Sequence, residues 1–374
     1  MIFLLVIGFC FLVSVFTTPY MVKLSHFTGA IDKPNKRKIH GRIMPRLGGL
    51  AIFIAFILGY MVFDIKETSM YEGQTAFFDA YLISSVLIIG AGMLDDMFDL
   101  PAKAKFLVQL TAALIMVFYG NFLITDFHWP IFPSIYLGWF GGVVTILWIV
   151  GITNSMNLID GLDGLSSGIS AITFTTMGVL SIYQGDFFVA MLCFLLLGST
   201  LGFLVHNFYP AKIFMGDTGS MFLGFSISVL SLLGYKNAAF VSFIIPIIML
   251  SVPIFDTVWA LVRRLLSGES PFKPDRNHVH HFLLNKNLGH VKSVLVLYAI
   301  TALFSLTAIV YTMHTTFWGL IMLVICVVII ELIFNTTGAF RYKEKEQDKK
   351  IEVEQVRPNE ETGHPTKKST ADPG

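Results

Sequence analysis

Phe187 to Val205 reads FFVAMLCFLLLGSTLGFLV, nineteen positions without a charge. About 20 apolar residues in a helix cross the roughly 30 Å hydrocarbon core of a bilayer. Comparable runs recur at 2–20, 47–63, 78–94, 106–121, 136–153, 165–184, 219–235, 239–262, 294–313 and 316–335. Transmembrane β-strands are shorter and alternate apolar with polar residues, whereas these runs are continuous. The fold class that follows is all-α: a polytopic integral membrane protein of about eleven transmembrane helices.

Composition agrees. The 374 residues are 55% hydrophobic and only 14% charged, and the mean hydropathy is +0.71. This excludes a disordered chain, a nucleic-acid binder and an ordinary cytosolic enzyme. Gly141, Gly142, Pro246 and Pro253 interrupt runs that packed membrane helices tolerate. The first run lacks a basic leader and a small-residue cleavage site, so it reads as a retained helix. Cys10, Cys193 and Cys326 each stand alone in apolar sequence, which indicates neither disulfides nor a thiolate metal site.

Eleven crossings from an outside N-terminus put 24 of the 26 Lys and Arg residues on one side, leaving only Lys66 and Lys236 on the other. By the positive-inside rule the N-terminus is outside and the C-terminus inside. From Arg341 onward, 16 of 34 residues are charged, of both signs. Residues 1–338 therefore read as a transmembrane domain and 339–374 as a disordered cytoplasmic tail.

The carboxylates are sorted like the cations. Asp95, Asp96, Asp99, Asp160, Asp163, Asp217, Asp256 and Asp275 fall at helix ends on the basic side. Charged groups beside hydrocarbon are costly and mark function by default. Asp95-Asp96, followed by Lys103, Lys105 and Gln109, sets two repelling carboxylates side by side. Such a pair needs a proton, a cation or lysines, and Mg²⁺ bridging a phosphate is a natural partner. The plainer reading is a helix cap with solvated charges.

Asn154 to Gly164 (NSMNLIDGLDG) offers two Asp-Gly pairs and neutral amides at Asn154 and Asn157, without any Lys or Arg. Its plainer reading is an interhelical turn. Asn207 to Ser220 ends in Phe214-Met215-Gly216-Asp217-Thr218-Gly219-Ser220, an acid in a small-residue turn opening a helix. That pattern suits a phosphate or metal cradle, or an N-cap by Asp217 or Ser220. It lacks the G-K-[ST] ending of a P-loop.

Pro274 to His281 gathers Arg276, His278, His280 and His281, after Arg263 and Arg264. Cations and imidazoles converging on a pyrophosphate fit this block better than zinc, because no cysteine is near and Arg276 sits inside it. A surface loop is the plain reading. Asp32 to Arg42 is basic, with Lys38 and His40 as candidate substrate contacts beside a simple topological role.

Metal-competent acids beside phosphate-binding cations point to phosphoryl transfer, where positioning and charge neutralisation dominate. A site at the lipid edge suits one soluble and one lipid-borne substrate. The rival from another class is an ion-coupled transporter, which places carboxylates at mid-membrane depth in matching half-repeats.

With these motifs in order, the sequence resembles the polyprenyl-phosphate N-acetylhexosamine-1-phosphate transferase family from about Asp32 to His290. The matches are Asp95-Asp96, Asn154 to Gly164, Phe214 to Ser220, and the His-x-His-His loop at His278 to His281. The form of that last loop resembles the bacterial branch that transfers GlcNAc-1-phosphate, of the teichoic-acid-initiating type.

The resemblance implies an enzyme that joins UDP-GlcNAc to undecaprenyl phosphate and releases UMP, on the cytoplasmic side of the plasma membrane. UDP-GalNAc and UDP-MurNAc-pentapeptide are the alternative donors. It implies Mg²⁺, with Mn²⁺ as a substitute, held by Asp217 and Asn157. Asp95, Asp96, Asp160, Asp163 and Asp217 are the implied catalytic acids. Lys38, Lys103, Asn154, Asn207, Arg276, His278, His280 and His281 are the implied substrate contacts. The expected partners are those two substrates, membrane lipids and, in a homodimer, a second copy, with no nucleic acid.

Overall fold

A computed structural model describes residues 1–32, 43–63, 74–127, 135–233, 244–266, 268, 283–284, 289–313, 317, 321–328 and 331. The elements run α1 (Ile2–Thr28), β1 (Ile31–Asp32), β2 (Met44–Pro45), α2 (Gly48–Val62), α3 (Gln74–Phe98), α4 (Ala102–Phe118), β3 (Asp126–Phe127) and β4 (Ile135–Tyr136). They continue α5 (Phe140–Ile159), α6 (Leu165–Tyr183), α7 (Phe187–Asn207), α8 (Gly216–Leu233), α9 (Ile244–Met249), α10 (Ser251–Leu266) and α11 (His290–Met313). Two-residue antiparallel pairs, β1 with β2 and β3 with β4, are the strands among the described residues. The chain is an all-α integral membrane protein.

Seven of these helices (α1, α3, α5, α6, α7, α8 and α11) are long and apolar enough to span a bilayer. Apolar α2 is shorter, at 15 residues. The expected unbroken span over 239–262 is instead divided into α9 and α10 at Leu250, and 239–243 lie outside the described residues. Pro253 supplies the reason: it has no N–H to give the Met249 carbonyl, and its ring crowds that group. Met1–Cys326 forms one compact unit and Val327–Gly374 a second; the expected tail at 339–374 lies outside the described residues.

The core centres on α7 and α8, both largely buried. With no hydrophobic drive between helices in lipid, close backbone packing through small residues holds such a bundle. A Cβ on Gly49 of α2 would meet the Gly219 Cα of α8 at 2.1 Å, and one on Gly92 of α3 would meet the Thr218 Cα at 2.4 Å. Three helices therefore converge at the first turn of α8. The motifs expected in loops lie partly within helices: α3 runs on to Phe98, α5 to Ile159, and α8 begins at Gly216. Asp95, Asp96, Asn154, Asn157 and Asp217 thus sit on rigid end turns.

Candidate active site

The first turn of α8 leaves backbone N–H groups without partners in their own helix. The capping group is neither Asp217 nor Ser220. Asp96 reaches across from α3: its Oδ1 accepts from the Asp217 N–H at 3.0 Å, and its Oδ2 from the Thr218 N–H at 3.0 Å and the Thr218 hydroxyl at 2.7 Å. An anion there also meets the positive end of the helix dipole. Gly216 opens the turn at φ +70°, where a Cβ would collide with the Arg46 carbonyl.

Arg46 arrives by backbone pairing. The Phe214 N–H donates to the Pro45 carbonyl at 2.8 Å, and the Gly48 and Gly49 N–H groups donate to the Phe214 and Met215 carbonyls. This docking places the Arg46 Nε 3.4 Å from Asp96 Oδ1 and its outer nitrogen 3.3 Å from Asp99.

Asp95 is differently placed. The Lys105 ammonium, from α4, lies 3.2 Å from Asp95 Oδ2 and 2.8 Å from Asp217 Oδ2. Asp95 Oδ1 is buried with no hydrogen-bond partner among the described residues. One oxygen from each of Asp95, Asp96 and Asp217 falls within 4.8 Å of the others. The Asn157 amide donates from Nδ2 to the Ser220 hydroxyl at 2.9 Å, so its amide oxygen is the group left to offer a cation. An all-oxygen donor set with an orphaned carboxylate oxygen fits a hard divalent cation such as Mg²⁺.

The Asp-Gly loop is tied down beside this cluster. Asp163 Oδ2 accepts from the Ala211 N–H at 3.0 Å. Asn207 is buried: its Oδ1 accepts from the Gly164 N–H and the Ser167 hydroxyl, and its Nδ2 donates to the Ile213 carbonyl. Both hold the 160–164 and 208–213 segments together. Asp160, just past the end of α5, is pushed up to about 8 by burial and the nearby Asp217 and Asp96 carboxylates, against the pull of Arg46.

At neutral pH the Asp160 carboxyl therefore keeps its proton, and raising the pH through 8 adds a negative charge beside the cluster. Calorimetry should show Mg²⁺ binding tightening severalfold from about pH 7 to 9, with a smaller gain in Asp160→Asn. Equal pH slopes in the two proteins would place the titration elsewhere.

Of the sequence-predicted residues, Asp95, Asp96, Asp160 and Asp217 gather here, and Asn157 joins them through Ser220. Asp163 and Asn207 are loop ties. Asn154 and Lys103 are exposed. Lys38, Arg276, His278, His280 and His281 lie outside the described residues. The implied site residues include Lys103 rather than Lys105, which stands in the same motif, and omit Arg46. Two positions turn a helix by about 200°, so Lys103 and Lys105 occupy opposite faces. Gln109, one turn beyond Lys105, is buried on the same side, and that spacing was the available signal.

The pattern that describes glycosyl transferase family 4 matches residues 78–235, which hold the three-carboxylate cluster. A Bacillus subtilis protein named "Probable undecaprenyl-phosphate N-acetylglucosaminyl 1-phosphate transferase" is 44% identical over 344 residues, 90% of this chain and 93% of its own. The chain belongs to this family. It is an enzyme, a phosphoglycosyl transferase. A decaprenyl-phosphate N-acetylglucosaminephosphotransferase of Mycobacterium tuberculosis is 33% identical over 77% of each chain. An undecaprenyl-phosphate alpha-N-acetylglucosaminyl 1-phosphate transferase of Escherichia coli O157:H7 is 30% identical over 73% of this chain and 74% of its own. These family members carry the GlcNAc-1-phosphate name that the sequence motifs indicated. The transporter reading falls with the family assignment.

Proposed function

We propose that the protein transfers GlcNAc-1-phosphate from UDP-GlcNAc to undecaprenyl phosphate, releasing UMP. The observation that carries this reading is the Asp95-Asp96-Asp217 cluster at adjoining helix ends, in a chain so similar over its length to enzymes named for that transfer. The lipid acceptor approaches through the bilayer, and the nucleotide through water on the basic, cytoplasmic side. The eleven-span topology with an outside N-terminus belongs to the same reading, as does a teichoic acid as the polymer started on the lipid.

Asp217, Asp95 and the Asn157 amide oxygen would hold Mg²⁺, which when bound supplies divalent charge to neutralise pyrophosphate oxygens. Asp96 keeps the first turn of α8 in place, with Arg46 balancing its charge. The tied 160–164 and 208–213 segments shape the nucleotide side, with Asp160 facing the cluster. Arg276, His278, His280 and His281 would hold the pyrophosphate and sugar, with Lys38, Lys103 and Lys105 available to the acceptor phosphate.

An acceptor oxygen forms a bond to the sugar-proximal phosphorus, the bond from that phosphorus to the bridging oxygen breaks, and UMP leaves with that oxygen. The acceptor is already an anion, so direct attack needs no covalent aspartyl relay.

The test is UMP release by purified protein given undecaprenyl phosphate, Mg²⁺ and, in turn, UDP-GlcNAc, UDP-GalNAc or UDP-MurNAc-pentapeptide. Release with UDP-GlcNAc far above the other two is the expected result. Preference for another donor overturns the sugar assignment, and no release with any donor overturns the reaction.

A further inference from the structure

We infer that Lys105 stands in for the divalent cation in the metal-free protein and is displaced when Mg²⁺ enters, so that metal loading exchanges one cation for another. The inference rests on the proposed Mg²⁺ site and goes further, because it assigns a competitor to that site. Three observations lead there.

The Lys105 ammonium bridges oxygens of Asp95 and Asp217, at 3.2 and 2.8 Å, from helices α3 and α8. Mg²⁺ binds carboxylate oxygens at about 2.1 Å in a tight octahedron, so an ammonium between those two oxygens and a metal between them exclude one another. Asp95 is 3% exposed, and its second oxygen has no partner among the described residues. One ammonium therefore leaves this carboxylate only half satisfied. Among the described residues Arg46 is the other cation at the cluster, and it is engaged with Asp96 and Asp99.

Charge arithmetic favours the exchange once anionic substrate arrives. When ionised, Asp95, Asp96, Asp99 and Asp217 carry four negative charges, against the single charges of Arg46 and Lys105 among the described residues. A divalent ion in place of the ammonium leaves one uncompensated negative charge where the ammonium leaves two. It also frees a flexible, compact cation for the incoming phosphates. Metal and phosphate ligand then bind cooperatively, since each favours the state in which Lys105 has left the carboxylates.

The experiment measures Mg²⁺ binding to the full-length protein in detergent by calorimetry, with and without UDP as the probe. Lys105→Met should bind Mg²⁺ alone about tenfold more tightly than wild type, the scale of one charge-assisted hydrogen bond, and UDP should strengthen its Mg²⁺ binding less. Lys105→Arg, which keeps a cation, should stay nearer wild type. Lys292→Met removes an exposed charge outside the site and should change Mg²⁺ affinity little, which separates direct competition from bulk charge.

Should Lys105→Met fail to fold, the wild type still decides. Amine labelling read by mass spectrometry should rise at Lys105 on adding Mg²⁺, with Lys103 as the internal reference. Unchanged or weaker Mg²⁺ binding in Lys105→Met, or Lys105 labelling indifferent to Mg²⁺, overturns the exchange. A wild type that binds no Mg²⁺ and releases no UMP overturns the proposed function itself.

Discussion

Asp217→Asn should lower UMP release by about a thousandfold, the scale of losing a principal ligand for transition-state charge. The substitution preserves shape, and the backbone N–H of residue 217 still has the Asp96 carboxylate to donate to. The end of α8 should therefore hold, with a melting temperature in detergent close to wild type. Mg²⁺ binding should weaken along with the rate. Near-normal UMP release from a folded Asp217→Asn protein would remove this residue from the reaction. A large drop in melting temperature would assign it to the scaffold.

Asp96→Ala is the counterpart, with its largest effect on stability. It strips the acceptors from the Asp217 and Thr218 N–H groups and the Thr218 hydroxyl, and it takes one of the two carboxylate partners from Arg46. Each buried donor left without its acceptor costs about 1–3 kcal/mol, whereas Arg46, 23% exposed, keeps Asp99. Thermal melting in detergent should fall sharply. Adding Arg46→Met should recover part of the loss, so the double variant is less destabilised than the two single effects added together. Additive losses would show that Arg46 and Asp96 are not coupled. A melting temperature unchanged by Asp96→Ala would show that the carboxylate does not cap α8. On the proposed reading, adjacent acids in one motif separate into a ligand, Asp95, and a positioning residue, Asp96.

That separation marks how far the sequence could be read. The apolar runs are a local property: helices occur in ten of the eleven expected regions, and residues 321–328 are helical within the eleventh. Their ends were harder to place, since α3, α5 and α8 carry polar residues inside the helix wherever the bundle supplies partners. The division of α9 from α10 was foreshadowed by Pro246 and Pro253, residues that membrane helices also tolerate. Lys103 was preferred to Lys105 because sequence spacing alone does not say which face of α4 meets α3 and α8.

The sequence by itself determined a membrane-embedded helical frame, the order of the acidic motifs and their concentration at helix ends, because run length and charge are properties of consecutive residues. Tertiary structure decided which oxygen each cation holds. Arg46 reaches Asp96 only because the 45–49 segment pairs with Phe214 and Met215, and Lys105 meets Asp217 across 112 positions of chain. Gly49 and Gly92 admit the first turn of α8 at backbone distance. Side-chain partners depend on which helix faces approach closely enough, and in lipid that approach is set by small residues packing backbone against backbone.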